Sequence, residues 1–181
     1  MQSQIDSYIS SKNHWLSQQV DVEYPTPESI MGRKLYLEAQ QNIKYNVSEI
    51  ESLLSNKAKL SNKVGLDIIE VDFHRLTIIF SVLQASQLSS DPEEQGLIIE
   101  FLTQIILDDE YQLFLGFDNG EAVSALICKT DLDDHVAVLT DIVISENAQG
   151  SFEMKDFSSD VLQYLISKSM IIHTVIHPDW V

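Results

Sequence analysis

Two groups of side chains in the last third of this sequence could carry chemistry. The first is Asp141, which shares a strand face with Leu139 and Val143 if its apolar surroundings are extended. A sheet that buries this face would desolvate the carboxylate, and a desolvated carboxylate is suited to act as a general base. The alternative is a carboxylate that hydrogen-bonds nearby backbone or lies at an exposed strand end.

The second group consists of His173 and His177, four residues apart, with Asp179 close by. On a strand this spacing places both imidazoles on one face, as a pair of metal ligands requires. No further Cys or His follows at a recognisable ligand spacing, so we predict a structural or exposed histidine pair and no metal site. The sequence also contains no nucleophile elbow, Walker loop or dinucleotide fingerprint.

The elements that must position these residues begin with a helical N-terminal extension, which we predict over residues 1–64. Thr26 and Pro27 form a helix start signal, and Ser48 with Glu51 forms a capping box that predicts a third, short helix. The run 61–65 is the predicted joint to a second part, residues 65–181.

The second part shows a different pattern, in which helices are mixed with apolar strands. Asp91 and Pro92 mark the clearest helix start, and Asp118–Glu121 is a tight hairpin connection. Strands are predicted over 66–71, 111–117, 122–129, 135–144 and 171–176, and helices from Asp72, after Asp91 and over 158–169. The predicted fold class is therefore α+β: a mixed, mostly antiparallel sheet flanked by helices in α/β/α layers.

This succession of elements resembles the GNAT superfamily of acyl-CoA-dependent N-acyltransferases over about the last two-thirds of the chain. The resemblance rests on residues 113–126, similar to the family's hairpin, and on residues 139–146, similar to its fourth strand. It implies that Asp141 deprotonates an acceptor amine. It also implies that the following loop holds the CoA pyrophosphate on backbone N–H groups through Asn147, Gln149, Gly150, Ser151 and Phe152.

That loop departs from the family pattern Arg/Gln-x-x-Gly-x-Gly/Ala, because only Gly150 matches it fully. Phe152 places a large side chain where the backbone should approach phosphate, and Glu153 and Asp156 add negative charge. The family's fifth strand is normally followed by a helix and a strand pair, which are not seen after residue 177 of this sequence. Either the N-terminal helices or a second subunit fill that space, or the site is open.

The charge of the chain restricts its partners. The formal net charge is −17, and residues 66–181 hold four of the 11 Lys and Arg but 21 of the 28 Asp and Glu. Such a surface repels nucleic acid and anionic lipid and favours a cationic small molecule or a basic protein. The single cysteine, the lack of an apolar leader and the lack of a long apolar run predict a cytoplasmic protein without a membrane span.

Together these features predict an acyl-CoA-dependent N-acetyltransferase-like protein that acts on a cationic amine through a degenerate pyrophosphate loop. Its cofactor would be acetyl-CoA or another acyl-CoA, with no metal. The alternative is a non-catalytic acidic module that binds a protein, as adaptors, chaperones and immunity-type proteins do. The N-terminal helices are a candidate surface for a homodimer in either case.

Overall fold

The computed structural model describes residues 2–60 and 65–180. The helices in this part of the chain are α1 (Gln2–Gln18), α2 (Pro27–Gln40), α3 (Ile50–Leu60), α4 (His74–Leu88), α5 (Pro92–Leu102) and α6 (Met154–Ser167). The strands are β1 (Tyr45–Glu49), β2 (Asp67–Glu70), β3 (Gln112–Asp118), β4 (Glu121–Asp131), β5 (Val136–Ile144) and β6 (Thr174–Pro178).

The described strands form one open six-stranded sheet in the order β1-β6-β5-β4-β3-β2. Every neighbouring pair is antiparallel except β5 and β6, which run parallel. The predicted α+β fold class is confirmed, and the arrangement is consistent with a GNAT-like fold. Strand β4 lies between β5 and β3, and its residues 123–128 are all buried, because helices cover both faces of the sheet.

The helices cover both faces of the sheet. One face packs on α4 and α5 through Leu113, Ile127 and their neighbours, and α2 adds the fully buried Tyr36 to the same cluster. The other face packs on α3 and α6, with Phe114 and Leu139 among the sheet residues in that cluster. The result is the predicted three-layer arrangement.

A strand lies inside the part of the chain that the sequence predicts to be helical. Strand β1 pairs with β6 along its whole length, from Tyr45 opposite Pro178 to Glu49 opposite Thr174. Helix α3 follows at once and lies beside α6. Residues of the N-terminal third therefore fill the space next to the last strand, whereas the division of the chain at residue 64 stays a prediction, because 61–64 are outside the described residues.

Two of the four predicted helix caps are present, and the cap expected from Asp72 is not, because α4 begins at His74 with Phe73 as its N-cap and no side-chain cap hydrogen bond. Thr26 accepts a hydrogen bond from Ser29 N at the start of α2, and Asp91 accepts one from Glu93 N at the start of α5. The Ser48 hydroxyl instead bonds the imidazole of His177, and α3 begins only at Ile50. His177 on the neighbouring strand β6 therefore binds the Ser48 hydroxyl that the sequence pattern predicted to cap α3.

Candidate functional site

The parallel strands β5 and β6 stay paired over only three residues, Val136–Val138 of β5. Beyond Val138 the two strands separate, and a cavity of about 840 Å³ occupies the gap. Its wall consists of the second half of β5, the loop before α6, and the ends of α2, α4 and β6. Its lining side chains include Gln40, Asp141, Gln149, Phe152, Lys155 and Trp180.

Strand β5 directs backbone polar groups toward this gap. Ser145 N donates to Val123 O of β4 at 2.7 Å, so residue 145 faces β4. Because polar groups alternate along an antiparallel pair, the N–H and C=O of Ile144 point to the opposite edge. The Ile144 carbonyl indeed accepts a hydrogen bond from the Gln149 side chain on that edge, at 3.2 Å. The Ile144 N–H is therefore directed toward the side from which β6 has departed.

A second polar group of the cavity comes from the last turn of α2. Gln40 is only 6% exposed, and its Oε1 atom has no hydrogen-bond partner in the described structure. A buried amide oxygen without a partner carries a desolvation cost of about 1–3 kcal/mol. A ligand N–H that reached Oε1 would remove this cost, so the cavity is matched to a donor-bearing ligand.

Asp141 lies at a bulge in β5, which changes the face that the sequence analysis assigned to it. Its φ of +54° is left-handed, and the register with β4 shifts at this point. As a result Leu139 packs in the core beside α6, while Val143 packs in the core beside α4. The prediction that Asp141 shares one face with both neighbours is wrong, since a single extra residue turns the following side chains over.

The Asp141 carboxylate is fully engaged by buried partners. Lys12 Nζ of α1 lies 2.7 Å from Oδ2, and the Tyr36 hydroxyl donates to Oδ1 at 2.7 Å. The Gln84 side chain also donates to the Asp141 carbonyl, at 2.5 Å. Burial, with the nearby Asp141 charge, raises the pKa of Tyr36 well above its usual value, so the phenol stays a donor. The carboxylate lines the cavity but belongs to an ion pair, and its role as a base stays a prediction.

The predicted pyrophosphate loop connects β5 to α6 and uses its amides internally. Gly150 has a φ of +86°. Gln149 N donates to Ser145 O, and the N–H groups of Ser151 and Phe152 both donate to Ala148 O. The loop therefore closes on itself and presents few amide donors outward.

The N-terminus of α6 carries its own anions. The Asp156 carboxylate accepts from Glu153 N at 3.1 Å, and the Glu153 carboxylate lies 2.9 Å from Lys155 Nζ. These two side chains occupy the positive end of the helix that a pyrophosphate would need. The loop therefore offers the pyrophosphate of CoA few free N–H donors and places carboxylates beside it.

The structure brings some of the predicted cofactor-binding residues together and not others. Gln149, Gly150 and Phe152 line the 840 Å³ cavity together with Asp141. Asn147 instead lines a neighbouring groove of about 480 Å³, and Ser151 is exposed. Sequence reasoning missed Gln40 and Lys12. Lys12 could have been recognised because it interrupts a series of apolar residues at helical spacing in α1.

The two histidines considered as metal ligands have separate partners. The His173 ring packs edge-to-face on His135 with centroids 4.9 Å apart, and the His177 ring stacks on Trp180 at 4.4 Å. Within residues 2–60 and 65–180, no group of three or more His, Cys, Asp or Glu is arranged to hold a metal ion. Nor is any helix in these ranges long and apolar enough to cross a membrane.

Comparison with known proteins supports the fold. No protein-family model matches the chain, and no curated protein matches it in sequence. Among solved structures, a conserved protein of unknown function from Staphylococcus epidermidis ATCC 12228 aligns with a TM-score of 0.52 at 14% identity, over 87% of this chain and 58% of that one. A tandem GNAT protein from the clavulanic acid biosynthesis pathway, solved without AcCoA, aligns with a TM-score of 0.49 at 10% identity, over 78% of this chain and 46% of that one. The chain thus spans about half the length of each of these proteins.

Proposed function

We propose that this protein is an acyltransferase-like protein that binds an acyl thioester between β5 and β6 and transfers its acyl group to a cationic amine. The observation that carries the proposal is the 840 Å³ cavity at the point where the two parallel strands separate. The donor is acetyl-CoA or another acyl-CoA, and it supplies the activated acyl group when bound.

Two polar groups of the cavity support this proposal, one for the acyl donor and one for the amine acceptor. The Ile144 N–H is directed to the open edge of β5, where it can donate to a carbonyl oxygen. The unpartnered Gln40 Oε1 can accept from an amine N–H. Because Lys12 and Tyr36 already occupy the Asp141 carboxylate, the amine would lose its proton to water or to the medium instead of to Asp141.

The amides of the loop before α6 already donate to carbonyl oxygens of the loop, so the phosphates of CoA would add little to the affinity for the donor. The capped α6 and the carboxylates of Glu153 and Asp156 disfavour the pyrophosphate. The protein would therefore recognise the thioester and the pantetheine arm. The acidic surface would favour a positively charged acceptor by attracting it.

Isothermal titration with acetyl-CoA and with S-acetylpantetheine, which lacks the nucleotide and pyrophosphate, tests this proposal. We expect the two ligands to bind within about threefold of each other, with little dependence on salt, because the phosphates gain no contacts. Binding of acetyl-CoA that is at least about 100-fold tighter would contradict the account of the loop. Absence of binding by either ligand at millimolar concentration would contradict the acyltransferase proposal.

Two observations favour the non-catalytic alternative, a protein-binding module. The features that would hold CoA in a GNAT enzyme are here used for internal hydrogen bonds, and the residue expected to act as base is used in an ion pair. Under this alternative the acidic second part of the chain binds a basic protein. The calorimetric result with S-acetylpantetheine separates the two, since a module of this kind has no need of a thioester.

A further inference from the structure

A second cavity of about 520 Å³ is lined by residues of β1, α3, α6 and the end of β6, and it shares Lys155 and Trp180 with the first cavity. Ser48 and His177 both line it, and Ser48 Oγ lies 2.9 Å from His177 Nε2. His177 is 3% exposed and Ser48 is half-buried, so the hydroxyl is within reach of a ligand in the cavity. Neither residue belongs to the acyl-thioester site proposed above.

The hydrogen bonds of His177 fix its tautomer. Its Nδ1 atom lies 2.8 Å from the carbonyl oxygen of Pro178, which can only accept, so Nδ1 carries the proton. Nε2 of the neutral ring is then an acceptor, and the Ser48 hydroxyl donates to it. Burial lowers the pKa of His177 below its usual value, which keeps the ring neutral near pH 7.

These contacts reproduce the arrangement of an activated serine nucleophile: a hydroxyl, a base in hydrogen-bond contact with it, and a third group that orients the base. The Trp180 ring adds a second constraint, because it stacks on His177 with an interplanar angle of 8°. The imidazole is thus fixed in position and in proton arrangement before any ligand arrives.

Groups that could stabilise negative charge line the same cavity. Lys155 contributes an ammonium, which also lies 2.9 Å from the Glu153 carboxylate, and Ser52 belongs to the first turn of α3, where unpaired helix N–H groups are found; the Asp156 carboxylate lines the cavity as well. Ammonium and unpaired N–H groups stabilise the oxyanion that forms when a serine attacks a carbonyl.

We propose that Ser48 and His177 form a hydrolytic centre for small carboxylic esters or thioesters in the 520 Å³ cavity. Ser48 Oγ attacks the carbonyl carbon while its proton moves to His177 Nε2. The tetrahedral intermediate collapses, the bond to the leaving alcohol or thiol breaks, and that group takes the proton from Nε2. Water then attacks the acyl-serine and gives its proton to Nε2. Release of the carboxylic acid returns this proton to Ser48 Oγ.

The test uses p-nitrophenyl acetate and a serine-directed fluorophosphonate probe on the full-length protein. We expect a burst of nitrophenolate, with the acetyl or phosphonyl group located on Ser48 by peptide mass spectrometry. Ser48→Ala and His177→Gln should each lower the acylation rate at least about 100-fold, the range for loss of a positioned nucleophile or base. Ser159→Ala is the matched control, because this hydroxyl lines the same cavity but donates to the Leu53 and Lys155 carbonyls; it should keep the wild-type rate.

A pH series on the wild-type protein gives a readout that does not depend on the folding of a variant. Acylation requires neutral His177, so the rate should fall only below the histidine's ordinary pKa of 6.5. A label on another residue, an unchanged rate in Ser48→Ala, or a rate that falls only with loss of protein fold would overturn the proposal. Because p-nitrophenyl acetate contains no pantetheine, the outcome is independent of the thioester titration.

Discussion

The buried ion pair between Lys12 and Asp141 provides the sharpest test of the structure around the first cavity. Their side chains are only 3% and 0% exposed, and Nζ lies 2.7 Å from Oδ2. Lys12→Met would keep the apolar stem of the side chain but leave the Asp141 charge buried, with the Tyr36 hydroxyl as its remaining side-chain donor. We expect a loss of about 3–5 kcal/mol in the free energy of unfolding, the usual cost of breaking a buried pair.

Urea denaturation followed by tryptophan fluorescence measures this loss, since Trp15 stacks on Tyr111 in the same core. The matched control is Lys34→Met on α2, because Lys34 is 64% exposed and lies 4.0 Å from Glu38. An exposed pair of this kind contributes at most about 0.5 kcal/mol.

The double variant Lys12→Met with Asp141→Asn isolates the charge effect. Asparagine tolerates the left-handed φ of this position, and it removes the buried charge that the single variant leaves behind. We expect the double variant to recover at least about half of the lost stability. A cost below about 1 kcal/mol for Lys12→Met, or a double variant less stable than the single one, would show that Lys12 does not compensate a buried Asp141 charge.

Three further predictions concern packing, reactivity and pH. Gly32→Ala should lower the free energy of unfolding by more than about 2 kcal/mol in chemical denaturation, because its Cβ would lie 1.9 Å from the Leu97 carbonyl oxygen of the facing helix. In the control Gly96→Ala the new Cβ meets nothing within 4 Å, so this variant should stabilise α5 by up to about 1 kcal/mol. Burial raises the pKa of Cys128 to about 12, so this thiol should not react with Ellman's reagent at mildly alkaline pH until the protein is unfolded; reaction in the folded state would contradict its burial. Burial lowers the pKa of His177 below 6.5, so the unfolded chain binds the proton more readily than the folded one; the stability that depends on the neutral ring is therefore present above pH 6.5 and is lost as the pH falls through the lowered pKa. His177→Gln should make the unfolding free energy less dependent on pH in this window. An unchanged pH dependence would contradict the burial of a neutral His177.

The strands that the sequence predicts best are those with continuous apolar runs. The observed β3, β4 and β5 lie within one or two residues of the predicted ranges, and the Asp118–Glu121 turn joins the first two. Strand β1 was missed because its five residues are partly polar and its partner β6 lies far away in the sequence. Local periodicity contains no information about a pairing of such long range.

The site was harder to predict for a related reason. The sequence placed Asp141 correctly on a strand beside the loop, but a bulge cannot be read from alternation, and its ion pair with Lys12 joins residues 129 positions apart. The unpartnered Gln40 depends on where α2 ends relative to β5, which no local pattern specifies. The glycine of the loop was recognisable, whereas the internal use of the loop's amides required the structure.

The proposed function requires that an acyl thioester binds where β5 separates from β6. The most direct measurement is a titration of isotopically labelled protein with S-acetylpantetheine, followed by amide NMR. We predict that the backbone amide of Ile144 and the side-chain amide of Gln40 shift together, while Ile68, on the far edge strand β2, does not. Unchanged Ile144 and Gln40 signals at millimolar ligand, or shifts confined to other surfaces, would contradict the claim.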